Sequence, residues 1–506
     1  MLYAFNSWAL DAVRQTRAFE AWTSGGWQHG VFNNKDSLNG RDEAVAGGRE
    51  WQQRAEKKGN HWKSLFKNED WLGAVTLIKR LWHVAYLEPK WDLGTDSRSF
   101  PMPNTRGIAA HDPFSDAEDE QDPEELASSD KHFAVLAFDG DEIGKWISGD
   151  KAPRFESQLA AYTDGSGNPE GALRYFKKYV PNLTAQQRPV SPSYHLQFSE
   201  ALTNFALDCA RPIVEVFDGR MIYSGGDDVL ALLPADTALA CAQALRIAFQ
   251  GSPKLGSFLA KNAEVLQKEH ERNKRDVPVW QKLAAEQRLL DTEQSGFLER
   301  RDRVDSEGND PIPSIVPGPA ADASIGIAIA HFKSPLQDVI RAAQAAQKRA
   351  KNEFGRSAVS VTLFKRSGEI IEWGCKWDDG GLELYREIAS ALRNDELSTK
   401  FPYRLAELLE PYHAQKAPLV GKSLADVCDF PVDDVIEIEF FNSLKRQSGK
   451  AAPAFSKLSE RMRPPLKAYV TGLNCTSNGT KIQHKIKSFL GLCQTVAFAN
   501  RTGDKK

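Results

Sequence analysis

The run Arg220-Met221-Ile222-Tyr223-Ser224-Gly225-Gly226-Asp227-Asp228-Val229-Leu230-Ala231-Leu232-Leu233 leaves the chain few choices. Two apolar stretches flank four turn-forming residues, which predicts a β-hairpin. Strand signals recur on either side of it. Residues 133–138 are a continuous apolar run, and residues 323–330 and 358–364 read as two further strands. Helical patterns fall between them. Leu196, Ala201, Leu202, Phe205 and Cys209 share one helical face, Asp236 is placed where it can cap a helix over 237–250, and another spans 336–354. The order is β-α-β-β-α-β-α-β, an α+β sheet of the ferredoxin-like kind with an extra α-β unit.

With 506 residues, two to four domains are expected. Residues 110–130 hold Asp112, Asp116, Glu118, Asp119, Glu120, Asp122, Glu124, Glu125 and Asp130, the composition of a solvated linker. This places a mainly helical N-terminal domain at 1–109 and the sheet domain at 131–380. Within the first, Leu72, Val75, Ile78, Leu81, Trp82 and Ala85 predict an amphipathic helix over 71–87. Insertions near 150–190 and 255–319 interrupt the sheet domain, the second starting as helix and becoming loop near 305–310. From residue 381 to 506 the signals are helical only, so a C-terminal helical bundle is expected.

Hydrophobic content of 41% and charged content of 26% are those of a soluble globular protein, and no stretch reaches the roughly 18 apolar residues of a membrane span. The N-terminus lacks the layout of a secretory signal. Six scattered cysteines, with no CxxC pair, speak against a zinc ribbon or a disulfide framework, so a cytoplasmic location is expected. The net charge of -3 gives no global sign of nucleic-acid binding.

The chemistry concentrates in the acidic residues of the sheet. Asp139-Gly140-Asp141 closes the first strand, and Asp227-Asp228 lies in the hairpin turn. In this fold the two are adjacent, so Asp139, Asp141, Asp227 and Asp228 are candidate ligands of Mg²⁺ or Mn²⁺. Two such ions would hold a triphosphate, activate an attacking hydroxyl and stabilise the leaving pyrophosphate. Asp139, Asp227 and Asp228 are therefore the candidate catalytic residues. Gly225 and Gly226 permit positive φ and close approach of a nucleotide. Lys351 and Arg356, at the end of the 336–354 helix, either neutralise phosphates or simply favour a helix C-terminus. Past Phe440 the chain is strongly basic, with Lys481, Lys485 and Lys487 among its cations, and this stripe either tracks a phosphate backbone or is a solvated face.

These motifs closely resemble the large, polymerase-like (Cmr-type) subunit of type III-B CRISPR RNA-silencing complexes. The resemblance rests on Asp139-Gly140-Asp141 with Ile143-Gly144-Lys145-Trp146, and on the Gly225-Gly226-Asp227-Asp228 hairpin. It extends to Ser191-Pro192-Ser193-Tyr194-His195, to Ser324-Ile325-Gly326-Ile327-Ala328-Ile329-Ala330-His331, and to Arg366-Ser367-Gly368-Glu369. Lys35-Asp36-Ser37-Leu38-Asn39 and Leu77-Ile78-Lys79-Arg80-Leu81-Trp82 carry it into the N-terminal part.

The resemblance implies a palm domain related to nucleotide cyclases. It also implies conversion of ATP into cyclic oligoadenylate messengers once a complex of partner subunits and guide RNA captures target RNA. Carried over by position, Asp139, Asp227 and Asp228 become metal ligands, Asp141 a supporting carboxylate, and Ser193, His195 and Ser324 nucleotide-pocket residues, His195 being equally readable as packed core. Family members usually begin with an HD nuclease domain and a first palm. This sequence starts after both, and its His111-Asp112 pair lies in the acidic linker. Cysteines that form a zinc site in some relatives near residues 36–39 are absent. A stand-alone diguanylate-cyclase-like enzyme is disfavoured by Asp228 where that family has glutamate. A non-catalytic RNA-binding scaffold is disfavoured by the intact carboxylate set.

Overall fold

A computed structural model of the chain describes residues 8–10, 12–13, 16, 34–58, 62, 65–91, 104–112, 131–158, 162–163, 169–286, 289–290, 296–304, 311–413, 431–447, 452–473 and 481–499. Most of the acidic stretch, 113–130, and the loop 305–310 lie outside the described residues. The chain divides into two compact units, Met1–Met102 and Pro103–Lys506.

In the first unit, short antiparallel strands Ala44–Gly47 and Trp71–Gly73 are joined through the helix Gly48–Lys58. The helix expected over 71–87 begins only at Ala74, because residues 71–73 are extended. Its buried stripe also differs from the expected one. Leu77, Leu81 and Val84 pack on the small core, whereas Val75, Ile78 and Trp82 are exposed. Asp36, which is buried, accepts hydrogen bonds from the amides of Leu38 (2.7 Å), Asn39 (3.1 Å) and Gly73 (2.7 Å). Burial raises its pKa, but these bonds and one from Thr76 outweigh it and hold the carboxyl below its ordinary value.

The second unit is built on six strands: β1 (His132–Gly140), β2 (Arg220–Ser224), β3 (Asp228–Pro234), β4 (Ala323–His331), β5 (Ala358–Phe364) and β6 (Ile370–Lys376). Their spatial order is β6-β5-β4-β1-β3-β2, antiparallel throughout except for the β4–β5 pair. The expected strand and helix order is present, with β6 added at one edge. Central strand β1 is buried on both faces, which is why its sequence reads as an unbroken apolar run.

Four helices explain where the site falls: α1 (Thr105–Ala109), α2 (Pro192–Asn204), α3 (Ala238–Phe249) and α4 (Leu336–Asn352). One face of the sheet, through Leu136, Phe138, Val229 and Ile325, packs against α3 and the helical segment that follows α2. The other, through Phe133, Val135, Ala137 and Ala328, packs against α1 and α4. Gly326 lets α4 lie against β4: a Cβ there would meet Ala343 O and Gln347 N, each at 2.1 Å. Residues 105–112 thus belong with the sheet and not with the N-terminal part, the boundary falling before residue 103.

His111 shows why. Its Nδ1 lies 2.8 Å from Asp218 and its Nε2 3.1 Å from Asp236, and Asp218 is also bonded to His270 (2.9 Å) and Gln281 (2.6 Å). His111 and Asp112 therefore do not form a nuclease pair; the imidazole is a clamp at the end of the β2–β3 hairpin away from the turn. Burial alone would lower the His111 pKa, but Asp236 and Asp218 raise it well above 6.5. Asp218 and Asp236 are held below their ordinary value by the same pairing, against burial.

A raised imidazole stabilises fully below its unfolded pKa and loses that contribution as pH climbs through the folded one. The depressed carboxylates stabilise above their unfolded pKa and lose it as pH falls through the folded values. His111→Ala should therefore cost about 3 kcal/mol near pH 6 and progressively less as pH rises. Urea midpoints of both proteins from pH 6 to 10 check this; a deficit that stays constant or grows with pH contradicts it.

The C-terminal helices share the core of the sheet. Helix α5 (Lys481–Ala499) lies against β6, and Tyr469 Oη donates to Gly374 O at 3.1 Å. Phe440, Phe489 and Leu492 are buried in one cluster with Trp373 and Ile388. Four cations of the basic stripe are paired within the chain. Lys485 is buried, bonded to Asp433 (2.7 Å) and Val470 O (3.0 Å), and Lys487 reaches Glu372 (3.2 Å). Arg461 and Arg463 pair with Glu387 and Glu437. Lys487 ties the bundle to β6, while the other three pairs form between helices of the bundle itself.

Candidate active site

Register alone assembles the acidic site. In antiparallel pairing Asp139 stands directly opposite Asp228 on one side and Ser324 on the other. Partners so placed are about 5 Å apart and point to the same face. Asp139 follows Ala137 by two residues, so that face is the one α4 covers. The hairpin turn continues the row. Gly225 N donates to Asp228 O (2.9 Å), Gly140 N to Asp227 O (3.0 Å), and Gly226 has φ 93°, a conformation that favours glycine.

Asp139 and Asp228 thus face each other, with Asp227 beside them. Burial raises the pKa of both Asp227 and Asp228, and the charge of Asp228 adds to the rise at Asp227. Neither has an ion-pair partner among the described residues. Asp139 is ion-paired with Lys351, in the last turn of α4. Burial, and secondarily the nearby Arg356 guanidinium, pulls the Lys351 ammonium down to about 8. Its position follows from α4 running antiparallel to β4 and ending where β1 ends.

Asp141 is placed differently from the other carboxylates. It is buried and accepts from Ser324 Oγ (2.7 and 2.9 Å) and Ser357 N (2.8 Å), with Arg356 at 3.7 Å. Burial raises its pKa, opposed by the bonds from Ser357 and Ser324. Ser324 is itself fully buried, so its hydroxyl braces Asp141 and does not line an open pocket. Arg356 and Ser357 both have positive φ (65° and 47°), which turns the Ser357 amide onto that carboxylate. Asp322 completes the brace: its carbonyl accepts from Asp141 N (2.8 Å), and its carboxylate is held by Arg246 at 2.7 and 2.9 Å. Ser357, Asp322 and Arg246 carried no local signal in the sequence, since their partners are distant in the chain.

Ser193 and His195 sit on α2, exposed, with Ser193 Oγ 2.9 Å from Ser191 Oγ. The stretch of α2 that reaches the turn is near Leu202, whose Cβ would lie 3.6 Å from a side chain at Gly226. Ser193 precedes Leu202 by nine residues, about 13 Å along a helix. The structure brings Asp139, Asp227, Asp228, Gly225, Gly226 and Lys351 together, keeps Asp141, Ser324 and Arg356 as the adjoining brace, and leaves Ser193 and His195 at the far end of α2.

The donor set suits a hard divalent cation. Among the described residues no three His, Cys, Asp or Glu side chains gather into a closed metal cage. Mg²⁺ does not ask for one, being held usually by one or two carboxylates with water and substrate phosphates filling the remainder. Asp139 and Asp228, with Asp227 adjacent, meet that requirement, and their crowding is relieved by such a cation.

Residues 132–264 match the family model for the second palm domain of Cas10/Cmr2. The Cmr2 subunit of a CRISPR Cmr system from Pyrococcus furiosus is 26% identical over 344 residues, 68% of this chain and 29% of that protein. Cmr2 from Saccharolobus solfataricus is 35% identical over 95 residues, 18% of this chain and 9% of that one. The chain therefore spans less than a third of the length of these relatives. Among solved structures, a chain of the type III-B Cmr-beta complex in its apo state is 15% identical with a TM-score of 0.37, covering 64% of this chain and 34% of that one. The same complex bound to cognate target RNA gives 16% and 0.35, covering 63% and 35%. Residues 132–264 thus match the second palm domain of the Cas10/Cmr2 type, in a chain similar over about two-thirds of its length to Cmr2.

Proposed function

We propose that this chain is the nucleotidyl-transferring part of a type III-B CRISPR effector complex, joining ATP into cyclic oligoadenylate when the complex holds target RNA. The observation that supports it most is the cross-strand pair Asp139–Asp228 beside the Gly225-Gly226 turn, at the open end of a palm-type sheet. A divalent cation held by Asp139 and Asp228 would acidify an attacking ribose hydroxyl and neutralise triphosphate charge. The chain's own residues prepare the reaction. Gly226 keeps the turn free of side chain so that a nucleotide can approach the backbone. Lys351, cationic below about pH 8, stands on Asp139 and can move from the carboxylate to a phosphate oxygen. Asp141, braced by Ser324 and Ser357, fixes the end of β1 so that Asp139 keeps its register with Asp228.

The chain, assembled with partner subunits, guide RNA and matching target RNA, is tested with each labelled nucleoside triphosphate and Mg²⁺ or Mn²⁺. ATP should be consumed into cyclised oligonucleotides only with both metal and target present. If the assembly captures target RNA yet consumes no nucleotide, the chain is an RNA-binding scaffold and the enzymatic reading is wrong.

A further inference from the structure

At the end of the sheet opposite the carboxylates, a cavity of about 330 Å³ opens between β1, β4, the turn after β5 and α5. Two of the sequence motifs left without a role above meet in it: Ala330-His331 and Arg366-Ser367-Gly368-Glu369. Its walls are Lys131, His132, His331, Lys365, Arg366 and Phe498, with Ser367 at the rim. Lys131 and Arg366 have no ion-pair partner among the described residues, while Lys365 is shared with Glu369 at 2.9 Å. Among the described residues no carboxylate lines the cavity.

The two histidines are register partners across β1 and β4, their rings edge to face at 5.4 Å, and His132 packs edge to face on Phe498 at 4.6 Å. His331 Nδ1 accepts from Lys333 N (3.2 Å), which leaves the proton of the neutral ring on Nε2 as a donor. Burial, and then the charges of Arg366, Lys333 and Lys131, hold that imidazole below its ordinary pKa. Unneutralised cations, a neutral imidazole donor and an aromatic wall together suit an oxyanion carried on a flat ring system.

We infer that this cavity is a second, non-catalytic site that holds a phosphate group of a ribonucleotide, with Arg366 and Lys131 on the phosphate oxygens and Phe498 beside the base or ribose. The phosphate belongs either to a free nucleotide or to the backbone of single-stranded RNA. The site does not depend on the carboxylate cluster, and Asp139→Ala with Asp228→Ala should leave its occupancy unchanged.

The full chain is titrated in EDTA with ATP and, separately, with a short oligoadenylate, and acetylation of Lys131 and Lys365 is followed by mass spectrometry. At least one ligand should protect both lysines. Arg366→Ala combined with Lys131→Ala should weaken that ligand about tenfold or more, with Arg366→Lys in between. Arg366 is exposed and has no ion-pair partner among the described residues, so the fold should tolerate these changes. Protection by ATP assigns a free nucleotide, and protection by the oligoadenylate alone assigns an RNA backbone; either supports the site. Protection by neither ligand at millimolar concentration, or unchanged affinity in the double variant, overturns it.

Discussion

Alanine at both Asp227 and Asp228 is expected to slow nucleotide turnover by a factor on the order of 10³ or more. Both carboxylates stand in the turn that faces Asp139, and both are pushed towards the neutral form by burial. Removing them takes away the negative charge that would bind a divalent cation, and with it the activation of the hydroxyl and the neutralisation of the triphosphate. The fold should persist. The turn is closed by Gly225 N to Asp228 O and by Gly140 N to Asp227 O, bonds between backbone atoms that alanine retains. Relief of like-charge crowding can even raise the melting temperature slightly. Asp139→Ala should copy the loss of activity from a different strand, which separates a shared metal site from a local fault in the turn. Labelled ATP turnover beside thermal melts decides it: unchanged turnover in the double variant, in an otherwise active complex, contradicts the assignment.

Gly326→Val is expected to prevent the second unit from folding, a loss of at least about 4 kcal/mol. The nearest atoms to a Cβ at this position are Ala343 O and Gln347 N at 2.1 Å, and Ala346 C at 2.8 Å, all backbone atoms of α4. No rotamer change relieves a clash with helix backbone, so α4 must lift off β4. That helix buries Val339, Ala343 and Ala346 and carries Lys351 to Asp139, so separation exposes core and dismantles the site together. Gly326→Ala tests the same contact more gently: if it folds, α4 must be displaced, and turnover should fall even where the melting temperature falls only a few degrees. A valine variant that melts like the unmodified protein would show that α4 does not depend on this close approach.

Much of this was legible in the sequence for an identifiable reason. Strand β1 and the Gly225-Gly226-Asp227-Asp228 hairpin announce themselves because a doubly buried strand must be apolar throughout and a tight turn must use glycine. Once they are neighbours, the Asp139–Asp228 pairing follows from period-two geometry. Strand β6 was missed, although Ile371, Trp373 and Cys375 alternate and Ser367-Gly368 provides the turn from β5. Its exposed Ile370 and half-buried Glu372 blur that alternation, and edge strands generally read weakly.

Longer-range facts left no trace. Nothing near Asp141 foretells that Ser324 and Ser357 occupy its oxygens, because those partners lie 183 and 216 residues away. The role of His111 is hidden in the same way by Asp218 and Asp236, 107 and 125 residues on. For Arg461, Arg463, Lys485 and Lys487, composition does not reveal Glu387, Glu437, Asp433 and Glu372 waiting opposite them. The helix expected over 71–87 failed at a smaller scale. Gly73 is extended, so the first turn is strand, and in the helix that follows Leu77 joins the expected Leu81 on the core while Val75 and Ile78 stay exposed.

The carboxylate pair is tested most directly by Mn²⁺ binding followed by electron paramagnetic resonance, with ATP present and no reaction required. The unmodified chain should take up Mn²⁺ in a signal that ATP strengthens, because substrate phosphates complete the coordination that Asp139 and Asp228 begin. Asp139→Asn with Asp228→Asn keeps the size and hydrogen bonding of both side chains and removes only their charge, and it should weaken Mn²⁺ binding at least tenfold. Lys351→Met should bind Mn²⁺ at least as well as the unmodified chain, since the ammonium competes for Asp139. Equal Mn²⁺ affinity in the unmodified chain and the double asparagine variant would contradict the account.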